Sequence, residues 1–152
     1  MHLITDSLLV GNLDDAQDPP PVVGGLLFVA KEHTVRPPAW VDYAHIPFKE
    51  FAEPNPILLA QSVQWIEDHL PNSRVMVCCR AGMGRSVSVV IAYLCCVQGM
   101  AYDDAVRLAK SRRPGAMPLP YLQEAIEEVR QLRGLQASTK NDSLPLRKPH
   151  SA

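Results

Sequence analysis

The stretch that most restricts this chain is Arg74–Val97, where a strand-like run passes through a glycine-bearing loop straight into a helix-like run. Arg74-Val75-Met76-Val77-Cys78 has the length and apolar character of a buried strand, and Val87–Val97 has those of a buried helix. The loop between them reads Cys79-Arg80-Ala81-Gly82-Met83-Gly84-Arg85-Ser86. It sets a thiol, a guanidinium and a ring of backbone N–H groups around one small hole. Such a hole suits a phosphate dianion, and a thiol at its base suits attack on phosphorus.

Gly82 and Gly84 admit backbone torsions that a side chain would strain, so several N–H groups can turn inward. A helix starting near Arg85 aims its free N–H groups and its dipole at the same spot. Arg85 offers a planar fork that grips two phosphate oxygens, which a lysine cannot match. The same positive surroundings favour the thiolate form of Cys79. Ser86 is placed to donate a hydrogen bond to that sulfur and ease its later departure. Register separates the two adjacent thiols: the guanidinium of Arg85 stands at the right offset from Cys79, while the same offset from Cys78 lands on Gly84. Cys78 is therefore expected to end the strand as packing, and a bridge between the neighbours would be strained.

Cys79–Ser86 resembles the Cys-x5-Arg-Ser/Thr signature of the cysteine-dependent protein tyrosine phosphatase superfamily, in particular its small, atypical dual-specificity type. Ile4-Thr5-Asp6-Ser7-Leu8-Leu9-Val10-Gly11-Asn12 is similar to the opening strand of that group. Ser111-Arg112-Arg113-Pro114-Gly115, followed by Pro118, is similar to its post-helix segment, and the likeness spans roughly residues 2 to 133. Two positions depart from the usual pattern: Cys78 stands where the family usually has histidine, and Leu119 near where it has an asparagine that ties into the loop. The resemblance implies hydrolysis of phosphotyrosine, with phosphoserine and phosphothreonine as further candidates, through a cysteinyl-phosphate on Cys79. It makes Cys79, Arg85 and Ser86 catalytic, and gives the phosphate to Arg80, Ala81, Gly82, Met83, Gly84 and Arg85.

Expelling an alkoxide or phenoxide from phosphorus requires a general acid that then activates water, a contribution of roughly 10²–10⁴-fold. In the family the acid sits on a loop just past a strand, upstream of the cysteine. Here that stretch is Ile46-Pro47-Phe48-Lys49-Glu50-Phe51-Ala52-Glu53-Pro54. Relatives carry aspartate where Glu50 stands, so Glu50 is the expected acid and Glu53 the second candidate. Asp42 belongs to the preceding strand, at its far end.

The rest of the chain reads as α/β: a short, central, mainly parallel sheet flanked by helices. Strands are expected at Ser7–Val10, Gly25–Ala30 and Trp40–Ile46 as well as before the loop. Asp14–Asp18 suits a helical turn ended by Pro19-Pro20-Pro21, and Pro56–Leu70 a helix with Pro56 in its first turn and Trp65 in the core. Further helices are expected at Arg85–Gln98, Ala101–Ser111 and Pro120–Leu132, the last stopped by Gly134. A catalytic domain over residues 1–134 and a flexible polar tail over 135–152 follow from that reading, with Arg147-Lys148 as solvated charge.

At 152 residues the chain suits one domain, and 47% hydrophobic with 20% charged residues fits an ordinary soluble globular chain. A formal charge of −1 supplies no overall attraction to nucleic acid or anionic membrane. The cysteines form two adjacent pairs, Cys78-Cys79 and Cys95-Cys96, which make no disulfide framework and suit a reducing compartment. No signal-peptide pattern or membrane-length apolar run is visible, so a cytoplasmic monomer is the default expectation. His2, His33, His45, His69 and His150 are scattered without metal-ligand spacing. No metal or other cofactor is expected, because Arg85 and the loop amides already neutralise the phosphoryl charge.

Two other readings compete. A phosphate-binding module with little turnover is motivated by Glu50 in place of aspartate and by the departures at Cys78 and Leu119. A rhodanese-like sulfurtransferase also opens its loop with Cys-Arg, but its next cation falls one residue sooner, at Gly84 here. For the substrate, phosphoproteins lead. Phosphoinositides or other phosphorylated small molecules follow, since Arg80 resembles a basic residue of lipid-directed relatives while Met83 stands where those carry a second cation.

Overall fold

The structure, a computed structural model, describes residues 1–142. Five short strands lie in one sheet: β1 (His2–Leu3), β2 (Leu8–Gly11), β3 (Val23–Ala30), β4 (Asp42–Phe48) and β5 (Arg74–Cys78). Their spatial order is β1-β2-β5-β3-β4. β5 runs parallel to both neighbours, with Val77 opposite Val10 on one side and Leu27 on the other. β4 extends the parallel sheet beside β3, and only β1 is antiparallel, pairing Leu3 with Leu9. Leu26–Ala30 and Val75–Cys78 are wholly buried, as unbroken apolar strands covered on both faces should be.

Parallel strands deliver their carboxyl ends to one side of the sheet. The segments after β2, β3, β4 and β5 therefore converge: Asn12-Leu13, Lys31-Glu32, Lys49-Glu50-Phe51 and Cys79–Gly84. Ligand sites of open α/β sheets form there.

Local chemistry sets the helices α1 (Leu13–Gln17), α2 (Pro56–His69), α3 (Arg85–Cys96), α4 (Tyr102–Arg112) and α5 (Leu122–Asp142). Asn12 and Asp15 form a reciprocal capping box on α1, and Asn55 caps α2 ahead of Pro56 at its first position. Asp103 and Asp104 open α4 while Lys110 and Arg112 close it, matching its dipole. α3 is buried from Arg85 to Cys95, packed on β2, β3 and β5 and touched by α2, α4 and α5. A helix apolar around its whole circumference is stable only when enclosed like this.

Three expectations differ from the structure. The strand expected at Ser7–Val10 lies one residue later, at Leu8–Gly11: Ile4 and Thr5 both donate to the Leu8 carbonyl, so Ile4–Ser7 turns and β1 pairs back on β2. Trp65 is half-buried and not enclosed, lying over Gly25 with its ring stacked on His69 at 3.8 Å. Gly134 does not stop the last helix, which continues to Asp142 through residues expected as tail. Its position has nothing within 4 Å, and Arg133 just before it ties α5 to Glu67 of α2 at 2.7 Å. That tie offsets the cost of about 1 kcal/mol that glycine brings to a helix interior. Arg147, Lys148 and His150 lie outside the described residues.

Candidate active site

The loop from Cys79 to Gly84 is shaped from outside, by groups that hold its carbonyls. Arg80 O accepts from Leu13 N at 3.0 Å, and Met83 O accepts from Met117 N at 2.7 Å. Between them, Ala81 O accepts from Arg113 Nη2 at 3.1 Å and Gly82 O from Arg113 Nε at 3.0 Å. In a trans peptide unit the N–H points opposite to the carbonyl. Four carbonyls drawn outward therefore turn the N–H groups of Ala81, Gly82, Met83 and Gly84 inward. Among the described residues none of these four N–H groups donates to a protein acceptor. They form an anion cup.

Gly82 is obligatory in this arrangement. Its φ is +72°, and an added Cβ would stand 2.5 Å from Arg113 Nη2 and 2.6 Å from the Gly11 carbonyl oxygen. Arg113 is itself buried, and its third contact is Nη1 donating to His2 Nδ1 at 2.6 Å, with the imidazole neutral as acceptor. Burial and the adjacent Arg113 charge push the His2 pKa down, which favours that neutral form. The loop rests on a buried guanidinium that is itself tied to His2 of β1.

Cys79 sits at the base of the cup, buried, with its Sγ 3.2 Å from Ser86 Oγ. Arg85 is 3% exposed and reaches the rim. Its Nη1 and Nη2 donate to Glu32 Oε1 and Oε2 at 2.5 and 2.8 Å, and Nη1 also donates to Phe48 O at 3.1 Å. Nε–H and one Nη2–H remain without a protein partner among the described residues, available to an oxyanion. Burial opposes the charge on Arg85, but the Glu32 pair outweighs it and the net shift is upward. Arg85 in turn holds the Glu32 carboxyl down to about 2. Burial pushes the thiols of Cys78, Cys95 and Cys96 up, Cys96 to about 11, so these three stay protonated.

Cys79 and Arg85 share a cavity of about 340 Å³ with Glu50, Ala81, Met83 and Gly84. Glu53 lines a different cavity, beside Lys31 and Lys49. Asp42 opens β4, its carboxylate 4.0 Å from His69. Arg80 contributes its backbone to the cup, but its guanidinium is 61% exposed, outside the cavity, and 4.0 Å from Glu50. Leu119, near where the resembled family has an asparagine, uses its main chain: Leu119 N donates to Ser88 Oγ at 2.9 Å, and Ser88 Oγ donates to Gly84 O at 2.7 Å. Among the described residues no cluster of three or more His, Cys, Asp or Glu side chains could hold a metal, and no helix is long and apolar enough to cross a membrane.

Sequence reading missed Glu32, Arg113 and Ser88 as parts of the site. Glu32 carried one faint signal, an acid just past the carboxyl end of an apolar strand in an α/β pattern. Arg113, the last residue before Pro114, belongs to the segment that resembles the family's post-helix stretch, but nothing local in the sequence marks its contact with the loop.

Comparison with known proteins points the same way. Residues 29–133 match the family model described as dual specificity phosphatase, catalytic domain. The chain is 29% identical over 133 residues to dual specificity protein phosphatase 15 of Rattus norvegicus, covering 84% of this chain and 56% of the relative. It is 36% identical over 89 residues to dual specificity protein phosphatase 8 of Homo sapiens, covering 57% of this chain but only 14% of that protein. In fold, human DUSP28 superposes with a TM-score of 0.78 at 21% identity over 90% of this chain and 99% of that one. A mouse putative dual specificity phosphatase complexed with zinc tungstate gives 0.77 at 23% identity, over 90% and 89%.

Proposed function

Because the chain belongs to the dual specificity phosphatase catalytic-domain family, we propose that it is a cysteine-dependent phosphatase of phosphorylated proteins. The observation that carries this reading is the union of a buried thiol with four inward amides, each set by an outward-held carbonyl. A phosphate monoester enters the cup with its non-bridging oxygens on those amides and on the two free N–H groups of Arg85. The Cys79 thiolate attacks phosphorus in line and forms the S–P bond while the P–O bond to the leaving group breaks. Glu50, on the same cavity wall, gives its proton to the departing oxygen. Water then attacks phosphorus, Glu50 takes its proton, and the S–P bond breaks with Ser86 donating to the departing sulfur.

Glu32 and Arg113 are positioning residues in this scheme. Glu32 sets the plane of the Arg85 fork, and Arg113 sets the direction of the amides. Neither touches the substrate.

The deciding experiment is turnover of a phenyl phosphate by Cys79→Ser, Cys78→Ser and Glu50→Gln variants. Cys79→Ser is expected to abolish hydrolysis while still binding phosphate, and Cys78→Ser to retain it. Glu50→Gln should lower kcat/KM on phenyl phosphate by roughly 10²–10⁴-fold, and far less on a dinitrophenyl ester whose leaving group needs no proton. Unchanged hydrolysis by Cys79→Ser would end the proposal. An equal effect of Glu50→Gln on both esters would remove Glu50 from the acid's role.

A further inference from the structure

We infer that Phe51 and Met117 are specificity-determining residues, directing the cup toward phosphotyrosine in apolar sequence surroundings and away from substrates with a second phosphate close by. The inference rests on the phosphatase reading of the cup and concerns what lies above it.

The phosphate occupies the amides, so the group that carries it meets the walls. Apart from Glu50 and Arg85 no lysine, arginine, aspartate or glutamate lines those walls, and Phe51, Met83, Met117, Pro118 and Leu119 are among the residues that do. Phe51 is 78% exposed and Met117 68% exposed. Neither helps to fill the core.

Phe51 also has φ +59°, and the other non-glycine residue with positive φ among those described is Tyr121, at +58°. Tyr121 directly follows Pro120, another wall residue, and is 64% exposed. Bulky side chains are outliers in that conformation, which asparagine or glycine adopts readily. Strained residues gather where a site requires a particular side chain. Here the chain keeps an aromatic in a strained, solvent-facing position on each of two segments that frame the cup, with no packing gain to compensate. A flat ring entering beside Phe51 and Met117, which both line the cavity, gains contact area that a serine or threonine phosphate cannot offer.

Charge adds the second half. Arg85 is already paired with Glu32, and Glu50, the proton donor, adds no positive charge to the wall. Arg80 lies outside the cavity, with its guanidinium 4.0 Å from Glu50. A second phosphate, on a neighbouring residue or on an inositol ring, therefore finds no unpaired cation on the cavity wall. Apolar neighbours of the phosphotyrosine meet Phe51 and Met117 instead.

The test compares kcat/KM on four probes: a phosphotyrosyl peptide with leucine and valine flanks, the same peptide with aspartate flanks, its phosphothreonyl counterpart, and a phosphatidylinositol bisphosphate in micelles. The apolar phosphotyrosyl peptide should exceed each of the others by about tenfold or more, the scale of burying one aliphatic side chain. Phe51→Asn with Met117→Gln should shrink the preference between the two phosphotyrosyl peptides to less than about threefold. Because asparagine relieves the strain at Phe51, the thermal midpoint of Phe51→Asn should hold or rise while its selectivity falls. A merely structural role would move both down. Preference for the aspartate-flanked peptide or the lipid, or selectivity that survives the double substitution, overturns the inference. Failure of the wild-type protein to hydrolyse any of the probes would instead overturn the phosphatase reading itself.

Discussion

The two loops that face each other across the cavity are held in opposite ways. In the phosphate loop, the carbonyls of Arg80, Ala81, Gly82 and Met83 are each fixed by a donor from a different part of the chain or from Arg113. No hydrogen bond from another part of the chain among the described residues reaches the segment 49–54, which carries Glu50 and Phe51, and Arg80 stands 4.0 Å from Glu50. The difference divides the labour. Oxyanion stabilisation demands donors that need no rearrangement when charge develops. A proton donor and an apolar wall must instead accept substrates of differing shape, and many catalytic hydrogen bonds tighten only when substrate is bound.

If that division is right, damage to the phosphate loop should cost both stability and function, whereas damage to the opposite loop should cost function alone. Gly82→Ala tests it hardest, since a Cβ there collides with Arg113 and with the Gly11 backbone at an adverse φ. Chemical denaturation should show a loss of about 2–4 kcal/mol, and kcat/KM on phenyl phosphate should fall roughly 10³-fold. A well-folded, active Gly82→Ala variant would contradict the geometry of the cup.

Arg113→Met comes next. It leaves two loop carbonyls without their donor, each worth about 1–3 kcal/mol when buried, and frees the amides of Gly82 and Met83 to turn away. Phosphate affinity, followed by calorimetry, should weaken roughly tenfold to a hundredfold. Glu50→Gln, by contrast, should leave the denaturation midpoint unchanged. If Arg113→Met altered neither phosphate affinity nor stability, the loop would have to be held by some other means.

His2 supplies the smallest effect and a pH signature. Its folded-state pKa is depressed below the ordinary imidazole value by burial and by Arg113. The unfolded chain therefore takes up a proton first as pH falls below about 6.5. Folding stability should decline through that window and level off once the folded imidazole is protonated too. His2→Gln, uncharged throughout, should remove this slope, flattening the thermal midpoint by about one or two degrees between pH 7 and 5. Equal slopes in both proteins would mean that the His2–Arg113 contact has no influence on stability. Glu32 should add nothing in the same range, because Arg85 keeps it ionised down to about 2. Its contribution is lost only as pH falls from about 4.5 toward that value.

Cys79, Arg85 and Ser86 were legible because they lie on one uninterrupted strand–loop–helix, where chain geometry alone fixes which groups face the hole. The parallel sheet was legible for a related reason: Gly25–Ala30 and Val75–Cys78 are too continuously apolar to face water on either side. Glu50 was narrowed to one of two acids by resemblance, and position in the fold sets it on the cavity wall and Glu53 elsewhere. β1 escaped notice because two residues carry no periodicity. Gly134 was misread as a stop because the Arg133–Glu67 contact that carries the helix onward joins distant parts of the sequence.

The sequence by itself determined the grouping of thiol, guanidinium and hydroxyl in one loop and the layered framework, since both depend on residues close together in the chain, where spacing and side-chain type are sufficient. Only the tertiary structure decided what aims those groups. Glu32 on Arg85, Arg113 and His2 behind the loop, and the main chain of Leu119 on Ser88 reach the site across long separations in sequence. A hydrogen bond between such partners depends on a few ångströms of relative placement, and packing of the whole sheet and its helices sets that placement. No local pattern records it.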